Sequence, residues 1–110
     1  MTNNSSLEAN IAAAKSAVQE MMRNWNQWKK APNEQAKLQC IAAYAAAFTN
    51  CKVYIENYLK RLYPSEKKMP IKVAQDIRNI VNDMDRIEKI NDKMLQKAIK
   101  DIDQLSRDAA

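Results

Sequence analysis

Residues 70–105, PIKVAQDIRNIVNDMDRIEKINDKMLQKAIKDIDQL, decide the architecture. Pro70 suits the first position of a helix, where its missing N–H costs nothing. After it Ile77, Ile80, Met84, Ile87, Asn91, Met94, Ala98 and Leu105 recur at helical spacing. Val81, Leu95 and Ile102 lie beside this stripe, and Asn91 is its polar member. The stretch reads as one helix over about residues 70–107, roughly 55 Å long at 1.5 Å per residue. Neither Gly nor a further Pro interrupts it, so continuity is the preferred reading. The alternative is a break near Asn91-Asp92, with Asn91 capping a short fourth helix.

Two helices precede it. Ser5-Ser6-Leu7-Glu8 has the form of a capping box. Leu7, Ile11, Ala14, Val18, Met21, Trp25 and Trp28 then alternate spacings of four and three, which makes a helix over about 6–30. Ala31-Pro32 ends it, since the residue before a proline is pushed out of the α region. Asn33 is placed to cap a second helix, 34–62, with Glu34 in its favourable first turn. Its stripe is Ile41, Tyr44, Phe48, Cys51, Ile55, Tyr58 and Leu62, flanked by Leu38, Ala45 and Leu59. The small residues between Ala42 and Ala47 permit close helix approach, so this helix is expected to be central, with Phe48 in the core.

The fold class that follows is all-α: a single domain, residues 1–110, forming an antiparallel up-down-up bundle of three long helices, or four if the third breaks near Asn91. The first two helices span about 36 and 43 Å, so a continuous third overshoots them. Met94, Ala98, Ile102 and Leu105 would then form an exposed apolar seam for association.

Composition narrows the function. The 110 residues contain no Gly, which argues against tight hairpins and phosphate-cradling loops. They contain no His, and two Cys cannot complete a tetrahedral zinc site. Cys40 and Cys51 stand about 16 Å apart along one helix, beyond disulfide reach, so both are expected as reduced thiols. Leu7–Val18 carries Glu8, Asn10 and Lys15, and the chain has neither a signal-peptide pattern nor a long apolar run. A cytoplasmic protein without membrane insertion is expected.

Catalysis on this scaffold would need facing carboxylate pairs. Asp85 and Glu88 are spaced i,i+3, but Glu8, Glu20, Glu34 and Glu56 are scattered, so no cluster for a hard cation is expected. Asp85 with Lys89, Asp103 with Arg107 and Glu56 with Lys60 read instead as i,i+4 surface pairs. No enzyme activity, cofactor, metal or small-molecule substrate is expected.

Two binding readings remain. In the first, the chain is a non-enzymatic protein-interaction module, an adaptor, chaperone, inhibitor or immunity-type factor. It docks a protein partner, or a second copy of itself, through an apolar helix face made of Met94, Ala98, Ile102 and Leu105, with Trp25 and Trp28 as anchors at the other end. In the second it is a nucleic-acid-associated helical subunit. Lys60, Arg61, Lys67, Lys68 and Lys72, against Glu66, hold most of the net charge of +5, and Tyr54, Tyr58 and Tyr63 lead into that segment.

Overall fold

The computed structural model describes residues 2–64, 68–82 and 84–109, with side chains from Leu7 onward. The described residues are all-α: helix α1 (Thr2–Lys30), α2 (Glu34–Leu62), α3 (Ile71–Asn82), a 3₁₀ turn at Ile87–Lys89, and α4 (Asp92–Ala109). They fill a rod of 49 × 26 × 21 Å.

Local chemistry sets most helix ends. The Asn33 Oδ1 accepts from the Ala36 N–H at 2.8 Å, so the expected cap on α2 forms. At its other end the Tyr63 N–H returns to the Leu59 carbonyl, with Lys60 and Arg61 in the last turn where the macrodipole favours cations. The Pro70 carbonyl accepts from Ala74, so the proline sits at the threshold of α3. The first helix begins earlier than its capping-box pattern indicates. Propagation costs little once a helix is nucleated, and α1 runs from Thr2 through Ser5; the Ser5 side chain lies outside the described side chains.

The third long helix is not continuous. It ends at Asn82, passes through the 3₁₀ turn, and restarts at Asp92, where Asn91 Oδ1 accepts from Met94 at 2.9 Å and the Asn91 carbonyl accepts from Leu95 at 3.1 Å. Arg86 and Ile90 flank the 3₁₀ turn in extended conformation, and no described residue has positive φ. Burial drives the reversal. Met84, Ile87, Ile90, Leu95, Ala98, Ile102 and Leu105 are all buried, whereas a straight helix would leave the later ones in water. At about 1.5–3 kcal/mol per large buried side chain, this outweighs a few helical hydrogen bonds worth about 1 kcal/mol each.

Between α1 and α2 the contact is the most extensive in the molecule, and Ala14, Ala17 and Ala47 are buried there. The alanine-rich stretch thus does allow close approach. Across α1 and α4, Lys15 Nζ meets Asp103 Oδ1 at 2.8 Å. Helix α4 also packs on α3, and Lys72 at the start of α3 reaches Asp108 at the end of α4.

Helix α2 is not the centre. It lies close to α1 alone and meets α3 and α4 through long side chains. The Tyr44 hydroxyl donates to the Met84 carbonyl at 2.7 Å, and the Tyr58 and Tyr63 hydroxyls donate to the carbonyls of Ser106 and Ala109. Phe48 is half-buried rather than central. Among the described residues none of the i,i+4 pairs read from sequence, Glu56 with Lys60 included, is an ion pair: Asp103 is taken by Lys15 across the α1–α4 contact, Arg107 donates to Gln104, and Asp85 lies in the corner rather than on a helix.

Candidate functional site

The break between α3 and α4 relocates the exposed apolar surface. Ala98, Ile102, Leu105 and Trp25 are core residues, and Met94 and Trp28 are half-buried against the same core. The expected seam at the end of the third helix is therefore an inner face of α4, covered by the chain itself. Trp25 is further shielded by Lys29, whose Nζ lies 3.8 Å from the ring centroid.

What stays open lies on α2. Two apolar seams run along this helix. Tyr44, Cys51, Ile55 and Tyr58 are buried inward. The second seam, Leu38, Ile41, Ala45, Phe48, Lys52, Ile55 and Leu59, alternates spacings of three and four and faces the side where α3 stands. Its C-terminal part is covered, with Ile55 and Leu59 buried; its N-terminal part is bare, with Leu38 60% and Ile41 37% exposed. The cause is length. Helix α3 has 12 residues against 29 in α2, about 18 Å against about 43 Å, so the lane beside α2 is only partly filled. Leu38, Ala45 and Leu59 were legible in the sequence as flanks of the main stripe; their own alternating spacing was the signal that they form a second seam.

Even where α3 is present it does not close on α2. An apolar cavity of about 330 Å³ remains between them, walled by Ile55, Leu59, Met69, Ile77 and Val81. Lys52, Glu56, Lys60 and Tyr63 form its margin. The Lys52 ammonium lies 4.5 Å from the Phe48 ring centroid, which holds it along the seam.

The basic segment is divided. Lys60, Arg61 and Lys68 are exposed and make no ion pair among the described residues. Lys72 is engaged 3.3 Å from Asp108, and Lys67 lies outside the described residues. Tyr58 and Tyr63 hold the last turn of α4 through their hydroxyls, so they are structural struts rather than free stacking surfaces.

The most perturbed acids sit between α3 and α4. The Asp108 side chain is only 8% exposed and accepts from Gln104 as well as Lys72. Asp76 beside it is raised to about 6, chiefly by desolvation and then by its hydrogen bond to Asp108, with Asp101 adding repulsion and Lys72 opposing. Asp108 is correspondingly lowered, first by the hydrogen bond from Asp76. A protonated Asp76 donating to an Asp108 carboxylate accounts for both directions. Among the described residues no group of three His, Cys, Asp or Glu is arranged to hold a metal ion. Both cysteines are free; burial pushes the Cys51 thiol up to about 12, which leaves it unreactive at neutral pH.

No helix among the described residues is long and apolar enough to cross a membrane. The chain matches no known protein-family model, no curated protein and no solved structure.

Proposed function

We propose that this protein is a non-enzymatic interaction module that docks a protein partner through the open seam of α2. The observation that carries the reading is the bare stretch Leu38–Ile41–Ala45, in line with a buried continuation at Ile55 and Leu59. A lone exposed apolar side chain is ordinary, but a periodic row of them beside an incomplete helical layer is what interaction surfaces look like. Trp25, Trp28 and the α4 seam contribute by stiffening the scaffold that presents it.

The test compares three forms of the protein as bait in the same extract. The wild type and Val53→Glu, altered at another exposed position of α2 about 120° round the helix from Ile41, are expected to retain the same partner. Leu38→Glu/Ile41→Glu is expected to lose it while keeping the wild-type melting temperature, because both residues face water. Equal retention by all three removes the reading. Retention that vanishes with nuclease and with about 200 mM salt replaces it by phosphate binding through Lys60, Arg61 and Lys68.

A further inference from the structure

Three carboxylates meet where α3 lies on α4. Among the described residues, the buried side-chain oxygens that find no hydrogen-bond donor when every acid is ionised are Asp76 Oδ2, Asp101 Oδ2 and Asp108 Oδ2. A buried oxygen without a donor is costly, and here such oxygens crowd a single contact. Two lysines answer them: Lys72 Nζ lies 3.3 Å from Asp108, and Lys97 Nζ lies 3.6 Å from Asp101. The groups that act on Asp76 all belong to these two helices, Lys72 on α3 and Asp101 and Asp108 on α4, with Gln104 donating to Asp108. With Asp76 ionised, three carboxylates face two ammonium groups. With one proton on Asp76 the charges balance, and the same proton supplies the donor that its hydrogen bond to Asp108 needs.

The contact with α4 is what keeps α3 in place. Helix α3 has 12 residues, too few to stand alone in water, and it buries Val73 and Ile80. On its α2 side the 330 Å³ cavity lies between Ile77 and Val81 of α3 and Ile55 and Leu59 of α2, so α3 packs chiefly on α4. We propose that Asp76 and Asp108 form a proton-operated latch: the shared proton holds α3 on α4, and its loss lets α3 lift, opening the cavity and baring Leu59 of α2. The latch is closed in acid and loosens toward neutral pH. It stands whether or not a partner docks on α2, since it concerns how much of that helix is open and not what binds there.

Asp76 lies near 6 with α3 in place, against 3.8 once it is released, so the opening equilibrium of α3 rises about tenfold between pH 5 and pH 7. Hydrogen exchange on the full chain reads this directly, as protection factors corrected for the intrinsic exchange rate at each pH. At both pH values the α3 amides are expected to be at least tenfold less protected than the amides around Val18 and Cys51, which open only with the whole fold. The protection of α3 should fall about tenfold from pH 5 to pH 7 in the wild type and stay level in Asp76→Asn, where an amide replaces the titrating donor. Asp108→Asn, in which an ionised Asp76 accepts from the new amide, should be equally level, and circular dichroism checks that both variants are folded. Protection in α3 equal to that of Val18 and Cys51 overturns the latch, because α3 then opens only by global unfolding. A pH-independent α3, an α3 that exchanges at the intrinsic rate at both pH values, or the same fall in both variants overturns it as well.

Discussion

Ile41 and Ile55 occupy the same seam of α2, two heptads apart, yet Ile55 is 3% exposed and Ile41 is 37%. Both lie well inside 29 helical residues, but Ile55 also belongs to the inward row of Tyr44, Cys51 and Tyr58, about 40° round the helix from Ile41. The rest of the difference comes from across the gap, where α3 stands beside Ile55. An apolar stripe states that a surface is suited to burial, while the length of the neighbouring element decides whether burial happens within the chain. The α4 seam is the converse case. Its stripe would project if the chain ran straight, and it is covered because the chain turns back.

The contrast with α4 is open to the strongest challenge. Ile102→Asp places a carboxylate in the dry core and is expected to cost more than about 4 kcal/mol, enough to abolish cooperative folding in urea titration. A folded Ile102→Asp protein with altered association would instead mean that α4 projects. The comparison within α2 is sharpened by a pair of matched truncations. Ile55→Ala should cost about 2–5 kcal/mol and Ile41→Ala less than about 1 kcal/mol, read as midpoint shifts at constant slope in the same titration. Equal losses would show that the N-terminal half of the seam is covered after all.

The smallest effect concerns how α3 is held beside α4. Asp76 has a folded value near 6, above its ordinary 3.8, so the native state keeps a proton that the unfolded chain releases. The stabilisation from that proton is complete below about pH 4 and is lost as pH rises through about 6. Asp76→Asn keeps a neutral donor for Asp108 without the titration. The wild-type melting temperature should therefore fall between pH 5 and pH 7 relative to Asp76→Asn; parallel curves would dissociate Asp76 from the α3–α4 contact.

Helix class, the Asn33 cap and the end at Pro32 were legible because each depends on interactions within a few residues. The corner before α4 was only half legible. Asn91 carried the signal of a cap, but the sequence has no Gly or Pro to mark the break, and among the described residues of the corner Arg86 and Ile90 are extended and none has positive φ. The expected exposed seam is absent from α4 for the same reason: a continuous third helix exposes Ala98, Ile102 and Leu105, and a returning one buries them. Trp25 and Trp28 sit against the core, as their place on the same α1 stripe as Leu7 to Met21 indicates, rather than standing out as anchors for a partner.

By itself the sequence determined an all-α chain, the positions of its caps and the apolar periodicity of every helix, because these follow from local backbone chemistry and side-chain spacing. Tertiary structure alone decided which stripes face inward. That choice is made by summing burial over residues far apart in the chain: folding α4 back covers a whole row of apolar side chains at the cost of a few hydrogen bonds, and leaves α3 too short to cover the row on α2.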